Sequence, residues 1–198
     1  MRPVLAITLL LTIALFSCSK DASKPAAPAV EQKNDIQLLR EKIQSNPQDA
    51  DALFLLAELY ERANLFQEEI DTLQKVVAIK PNMGYAWFKM GTACNRIEKY
   101  QEAVASFIKA TQFIQNQPML YNNLAFSYGK LGKTDQQIAA LKKAIALRPG
   151  YNIAHFNLGM AYLKAGQQKE ALQQYAILMD RDEGIAAALK KEIDSKRR

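Results

Sequence analysis

Side chains that commonly carry chemistry are scarce in this 198-residue chain, which has one histidine and two cysteines. A nucleophile–base pair would have to use His155, since imidazole is the usual base in such pairs. A metal site usually needs several histidine, cysteine or carboxylate ligands. We interpret His155 and Cys94 as packed residues, and Glu68, Glu69 and Glu102 as solvent-facing ones. No glycine-rich phosphate loop is present, so the sequence predicts no enzyme activity, no metal and no cofactor.

The other cysteine, Cys18, closes an apolar run at the start of the chain. Residues 4–16 are apolar, follow a short basic start at Met1-Arg2-Pro3, and precede the small residue Ser17. This order is typical of a secretory signal, and the run is shorter than the roughly 20 residues of a permanent membrane span. We therefore predict that residues 1–17 are a signal peptide. Two cysteines do not indicate a disulfide framework.

Leu15-Phe16-Ser17-Cys18 resembles the lipobox of bacterial lipoproteins. The resemblance implies that Cys18 is lipidated and becomes the first residue after cleavage. Ser19 is not the aspartate that this family associates with retention in the inner membrane. For a Gram-negative host, the resemblance therefore implies export and a lipid anchor on the periplasmic face of the outer membrane. The alternative is an ordinary secreted protein with an incidental cysteine.

The segment after the signal is polar and rich in proline and alanine. We expect residues 18–34 to be the lipidated cysteine and a disordered tether, which at full stretch spans about 50 Å. The formal charge of the chain is +6, and part of the excess lies in its last residues. Nucleic-acid binding would call for a basic stripe on one face, so we predict a solvated basic tail and no nucleic-acid partner.

A fixed step of 34 residues connects similar side chains along most of the chain. One set is large, the next apolar, the next small and the last mostly aromatic. In chain order the sets are Leu53, Trp87, Tyr121 and His155; Leu56, Met90, Leu124 and Leu158; Ala57, Gly91, Ala125 and Gly159; and Tyr60, Cys94, Tyr128 and Tyr162. A period of this length and order is typical of a helix–turn–helix solenoid.

The same period gives the boundaries of the repeats. We expect a capping helix at 35–47, repeats at 50–83, 84–117, 118–151 and 152–183, and a C-terminal capping helix with a basic tail at 184–198. The turn between the A and B helices of each repeat falls at Asn64, Glu98, Gly132 and Gly166. Glycine enters the left-handed backbone region freely and asparagine tolerates it, so we expect a different turn at Glu98.

These units resemble tetratricopeptide repeats across residues 50 to about 183. The resemblance implies an all-α, right-handed α-solenoid of about four helix pairs with capping helices at both ends. It also implies that the A helices line a concave surface, which in such solenoids normally binds another protein.

The resemblance places groove residues at fixed positions of each A helix. Those that we select as a partner-binding groove are Phe54, Tyr85, Phe88, Lys89, Arg96, Asn122, Asn123, Phe126, Lys130, Phe156, Asn157 and Lys164. Asn123 and Asn157 occupy the same position in adjacent repeats, and side-chain amides can pair with the backbone of an extended peptide. The phenylalanines would form an apolar floor flanked by basic side chains, which suits a partner with apolar anchors and acidic character. Alternatively, these residues are ordinary repeat consensus.

The sequence thus favours a membrane-anchored scaffold of the cell envelope that binds an extended or helical segment of a protein partner. One alternative is a structural envelope protein that self-associates; another is a general periplasmic chaperone-like binder. The sequence predicts no particular oligomeric state.

Overall fold

The computed structural model describes residues 29–196, with side chains from residue 34. That part of the chain contains ten α-helices and no strand, which confirms the predicted all-α fold class. In chain order the helices are α1 (Ala29–Ser45), α2 (Ala50–Arg62), α3 (Phe66–Ile79), α4 (Gly84–Arg96), α5 (Tyr100–Thr111), α6 (Pro118–Lys130), α7 (Thr134–Leu147), α8 (Asn152–Lys164), α9 (Gln168–Met179) and α10 (Glu183–Ser195).

Helices adjacent in sequence pack against each other from α1 to α10, as expected for a solenoid. The pairs α2–α3, α4–α5, α6–α7 and α8–α9 fall within the four predicted repeats. The first helix of each pair is the A helix and the second is the B helix. Contacts also join α4 to α6 and α8 to α10, and side-chain bonds join α2 to α4 and α6 to α8, so the A helices and α10 form one continuous row. We call the surface of this row the A-helix face.

The four turns inside the repeats share one geometry. Asn64, Glu98, Gly132 and Gly166 all have positive φ, between 57° and 74°. In each turn, the next backbone N–H donates to the carbonyl of the aromatic-position residue, at N–O distances of 2.8–2.9 Å. The expectation of a different turn at Glu98 is therefore wrong: its φ is 62°. The closing hydrogen bond from Lys99 to Cys94 holds Glu98 in a conformation that its side chain disfavours.

A single apolar core runs through all the repeats and into α10. Small residues allow close packing at two points where a side chain would collide. A Cβ atom on Gly91 would lie 2.7 Å from the ring of Phe107, which is fully buried. A Cβ on Gly159 would lie 2.6 Å from Leu189 of α10. The small position of the repeat thus brings helices together, as the pattern indicates.

The helices at the two ends differ from expectation in one boundary. α1 begins at Ala29, six residues before the predicted start at residue 35, so residues 29–34 are helical rather than part of a disordered tether. The 17 residues of α1 lack proline and glycine, and most have high helix propensity. At the other end, Asp182 accepts a hydrogen bond from the Ile185 N–H and caps α10.

The predicted signal peptide at residues 1–17, Cys18 and the first part of the tether, residues 18–28, lie outside the described residues. Among the helices that the structure describes, none has the length and apolar character needed to cross a bilayer.

Candidate partner-binding groove

The A-helix face contains an open pocket toward its C-terminal end. The pocket has a volume of about 480 Å³ and lies between α6 and α8, with α7 below and α10 at one side. We call it the C-terminal pocket. Its lining residues are Ala125, Phe126, Gly129, Lys130, Gln137, Leu141, Asn157, Met160, Ala161, Leu163, Lys164, Glu192 and Lys196.

Four of the predicted groove residues come together in this pocket: Phe126, Lys130, Asn157 and Lys164. Phe126 is 47% exposed and presents its ring at the surface. The ammonium of Lys130 lies 5.5 Å from the centre of the Phe126 ring, and Tyr100 packs edge-on at 6.2 Å. Lys164 donates to the carbonyl of Gly129, at 3.0 Å. The pocket therefore offers an aromatic surface bordered by basic groups.

The predicted amide ladder takes a different form. Asn157 does not align with Asn123 for a peptide; its Nδ2 donates to Oδ1 of Asn122, at 2.9 Å. This bond joins α8 to α6 and uses one donor of Asn157. The Oδ1 atom and the second N–H of that amide remain for another partner, because a primary amide has two donors and one acceptor oxygen. Asn157 lines the pocket and Asn123 does not, and the interpretation of the two as equivalent peptide ligands stays a prediction.

The predicted apolar floor is only partly available. Phe54, Phe88 and Phe156 are half-buried and pack against the core, and the ring of Phe88 lies 6.0 Å from that of Phe107. These three side chains stabilise helix packing and leave Phe126 as the exposed phenylalanine of the set. Tyr85, by contrast, is 57% exposed at the start of α4.

A second cavity lies at the corresponding place two repeats earlier, between α2 and α4 above α3. It is much smaller, about 120 Å³, and we call it the N-terminal cavity. Its lining residues are Glu61, Asn64, Phe66, Glu69, Thr92, Ala93 and Arg96. Five of these, Glu61, Glu69, Thr92, Ala93 and Arg96, are 68 residues, or two repeats, before Gly129, Gln137, Met160, Ala161 and Lys164.

Charged side chains fill the space beside the N-terminal cavity. Lys89 binds Glu61, at 2.6 Å, and lies 3.5 Å from Glu58; its ammonium is also 5.9 Å from the Phe54 ring. Burial would lower the pKa of Lys89, but its hydrogen bond and charge interaction with Glu61, with help from Glu58, raise that pKa above its usual value. Lys89 was predicted as a basic group of the groove. The structure corrects this, because its charge is already neutralised within the protein.

Glu69 is the least expected residue of the site. It was interpreted as solvent-facing, but it is 1% exposed, and its Oε2 atom has no hydrogen-bond partner among the described residues. Burial, reinforced by the negative charge of Glu61, raises the pKa of Glu69 to about 8. The carboxyl is therefore mainly protonated at neutral pH. The repeat pattern indicates that this position is buried, because Ala103 and Ala171 occupy it in other repeats.

His155 and Cys94 lie in the protein interior. His155 is 4% exposed, with Nδ1 2.8 Å from Oε1 of Gln174 and Nε2 3.0 Å from the Pro149 carbonyl. Two repeats earlier, the Nε1–H of Trp87 donates the equivalent hydrogen bond to the Pro81 carbonyl. Burial raises the pKa of the Cys94 thiol to about 11, with a smaller contribution from Glu102. In the described part of the chain, no three His, Cys, Asp or Glu residues are grouped to hold a metal ion.

Sequence reasoning missed the contribution of α10 to the pocket. Glu192, in the last turn of α10, and Lys196, directly after the helix, form one side of the opening. We expected this helix only to cover the end of the solenoid. Gly129 was also missed, although its repeat equivalents, Glu61, Asn95 and Leu163, are all larger. That contrast was visible in the 34-residue alignment.

Several solved structures have the same fold. A crystal structure of MamA is 23% identical, covers 80% of this chain and 92% of its own, and superposes with a TM-score of 0.75. A MamA chain from Desulfovibrio magneticus RS-1 is 19% identical, covers 77% and 86%, and gives a TM-score of 0.72. YrrB, described as a TPR protein with an unusual peptide-binding site, is 24% identical, covers 81% and 87%, and gives 0.67.

No curated protein sequence matches the chain. Two sequence profiles, both described as tetratricopeptide repeat, do match: one at residues 36–84 and 123–184, the other at residues 84–117. The two matches of the first profile alone span more than half of the chain, and together the profiles cover most of the residues that form the helix pairs. The chain belongs to the tetratricopeptide repeat family.

Proposed function

We propose that this protein is a lipid-anchored scaffold of the bacterial cell envelope that holds a segment of a partner protein on its A-helix face. The observation that carries the proposal is the C-terminal pocket, an open cavity of about 480 Å³ with an exposed phenylalanine at its edge. Pockets of this size, mostly apolar with a few polar groups, are typical of binding sites.

The family and the fold support a binding role. Tetratricopeptide solenoids present an extended surface that can bind a partner without any catalytic residues. YrrB, which shares the fold, is described as having a peptide-binding site. Along the A-helix face the pocket extends over only two repeats and α10, which suits an occupant of the size of a peptide.

The site of action follows from the first residues of the chain. Residues 1–17 have the order of a secretory signal, and Leu15-Phe16-Ser17-Cys18 resembles a lipobox. Lipidation of Cys18 would attach the scaffold to the periplasmic face of the outer membrane. Stable anchoring requires more than one acyl chain, which a lipidated N-terminal cysteine supplies.

Metabolic labelling with an alkyne fatty acid tests the anchor. Labelling is expected in the wild type and in Cys94→Ala, and is expected to be absent in Cys18→Ser. Fractionation should then find the first two proteins with membranes and the third without them. Equal labelling of Cys18→Ser would contradict lipidation at this residue.

Crosslinking in the native host, followed by mass spectrometry, tests the scaffold. A dominant protein partner is expected with the wild type and is expected to be lost in the double variant Phe126→Ala, Lys164→Glu. Both of these side chains are exposed, so the variant should fold. Lys109→Glu makes the same charge change on an exposed position of α5 outside the pocket and should keep the partner. Self-crosslinks alone would instead indicate a structural oligomer.

A further inference from the structure

We infer that the C-terminal pocket accepts a partner segment in which a large apolar side chain is flanked by carboxylates. This inference rests on the proposed scaffold function and specifies the chemistry of the partner. It also assigns α10 a second role, as a wall of the binding site rather than only a cap.

The apolar part of the pocket determines the anchor. Phe126, Met160 and Leu163 line it from α6 and α8, and the buried Leu141 lies at its base. Gly129 adds no side chain to the lining and lets the Gln137 amide lie against α6, where a Cβ would come within 2.7 Å of it. A leucine, methionine or phenylalanine side chain of a partner would bury its apolar surface against these residues, which favours binding.

The charged part determines what flanks the anchor. Lys130, Lys164 and Lys196 border the pocket, against a single carboxylate, Glu192. Lys130 and Lys164 are exposed at positions where they can turn toward a bound segment. Charge complementarity therefore favours a segment with aspartate or glutamate beside its apolar anchor and disfavours a basic one.

Two amides are available to the backbone of the partner. The Oε1 atom of Gln137 is buried in the pocket lining without a hydrogen-bond partner among the described residues. A buried acceptor without a partner is costly, so the Gln137 side chain gains a hydrogen bond if it turns its Oε1 atom toward a peptide N–H. Asn157 keeps one N–H and its carbonyl oxygen after bonding to Asn122. These groups orient a segment without selecting its sequence.

The N-terminal cavity is closed to the same occupant. At the equivalent positions Glu61 replaces Gly129 and Lys89 replaces Asn157, and the two form an ion pair beside the cavity. The volume there is about 120 Å³, too small for the side chain and backbone of a peptide, and Glu69 takes the place of Gln137. The partner segment therefore binds toward the C-terminal end of the A-helix face.

A photocrosslinking amino acid placed in the full chain, in its native host, tests this assignment. It replaces Met160 in the C-terminal pocket, Thr92 at the equivalent position of the N-terminal cavity, or Gln101 on the exposed side of α5. Mass spectrometry then identifies the crosslinked peptide of the partner. We expect capture at 160 but not at 92 or 101, on a segment with an apolar residue within two positions of an aspartate or glutamate. Lys164→Glu should reduce that yield at least tenfold, and Lys109→Glu should not.

Fluorescence anisotropy with defined probes gives a second measurement on the purified protein. The first probe is a blocked hexapeptide with Leu-Phe at its centre and acidic flanks; two reference peptides carry lysine flanks or a Gly-Gly centre. The acidic probe should bind at least tenfold more tightly than either reference, and Lys164→Glu should remove the difference from the lysine-flanked peptide.

The outcomes separate this inference from the proposed function. Capture of one partner at 92 or 101 but not at 160 would overturn the pocket assignment and leave the scaffold in place. Capture at 160 of a basic segment, or equal binding of the three probes, would overturn the chemistry assigned to the partner. Absence of capture at all three positions would contradict the scaffold itself.

Discussion

The N-terminal cavity and the C-terminal pocket occupy the same place in the repeat, two repeats apart, and yet one is closed and the other open. The helices, the turns and the aromatic-position hydrogen bonds are alike on both sides. Among the differences along the 34-residue alignment are Glu58 to Phe126, Glu61 to Gly129, Lys89 to Asn157 and Glu69 to Gln137.

The changes at Glu58, Glu61 and Lys89 remove charges from the C-terminal side, whereas the change at Glu69 replaces a mainly protonated carboxyl by an amide. Beside the N-terminal cavity, Lys89 binds Glu61 and approaches Glu58, so the charged groups pair with one another and leave little space. Around the C-terminal pocket, Asn157 bonds to Asn122 through a neutral amide, and Gly129 contributes no side chain to the lining. The repeat fold thus tolerates either charged side chains that pair with one another or an open pocket at this place. Binding specificity is set by a few side chains on a common backbone.

The largest expected effect concerns Glu69. Its folded-state pKa of about 8 lies above the usual value of 4.5, so the native state binds the proton more tightly than the unfolded state. Stability is therefore lost as pH rises from about 4.5 to about 8, where the buried carboxyl must ionise. Glu69→Gln should remove this loss and exceed the wild type by roughly 4–5 kcal/mol at pH 8.5, with little difference at pH 4.5. Urea unfolding at both pH values measures it.

Glu68→Gln is the matched control, because Glu68 is the exposed neighbour of Glu69 on α3. Its difference from the wild type should change little with pH. A difference between Glu69→Gln and the wild type that stays constant from pH 4.5 to 8.5 would show that Glu69 is hydrated rather than buried.

Placing the ion pair of the N-terminal cavity in the C-terminal pocket should weaken partner binding. The double variant Gly129→Glu, Asn157→Lys places a carboxylate and an ammonium where Glu61 and Lys89 form their ion pair, and positions 129 and 157 have the same separation as 61 and 89. The new pair should fill the C-terminal pocket and reduce binding of the acidic probe at least tenfold, or about 1.4 kcal/mol. Anisotropy measures the affinity.

A thermal melt followed by circular dichroism establishes whether the grafted variant folds. Gln137 must move aside for a side chain at position 129, but its amide is the flexible end of that residue. The single variant Asn157→Lys separates the effects, since it adds a positive charge without the carboxylate that closes the pocket. Unchanged probe binding in a folded double variant would contradict the role of this pocket.

The pair that closes the N-terminal cavity should itself contribute modestly. The Lys89 side chain is 20% exposed and that of Glu61 is 43% exposed, so solvent screens their interaction. A double-mutant cycle with Lys89→Met and Glu61→Gln should give a coupling of about 0.5–1 kcal/mol, which decreases with added salt. A coupling near zero in low salt would mean that steric filling, not attraction, closes the cavity.

Much of the fold could be predicted because the same local sequence pattern occurs in all four repeats. The apolar, small and aromatic positions each correspond to one packing contact, and proline and glycine indicate where helices end. The site was harder, because its state depends on pairs of residues from different repeats. Lys89 is a groove cation by position, and only its approach to Glu61 shows that it is neutralised. Likewise, Asn157 bonds to Asn122, 35 residues away, and α10 reaches the pocket through contacts that no repeat pattern specifies.

The turns provide the smallest and cleanest comparison between the two halves. Gly132 and Gly166 have φ near 74° without strain, whereas Glu98 has a φ of 62° with a full side chain. Glu98→Gly should therefore relieve strain of about 1 kcal/mol, part of which is offset by the greater freedom of glycine in the unfolded chain. We expect a net gain of roughly 0.5 kcal/mol, measured as a higher urea midpoint at an unchanged m-value. Gly132→Glu should have the opposite sign, because it moves the same strain into the third repeat. If both variants lowered stability, the closing hydrogen bond from Lys99 to Cys94 would depend on more than backbone conformation.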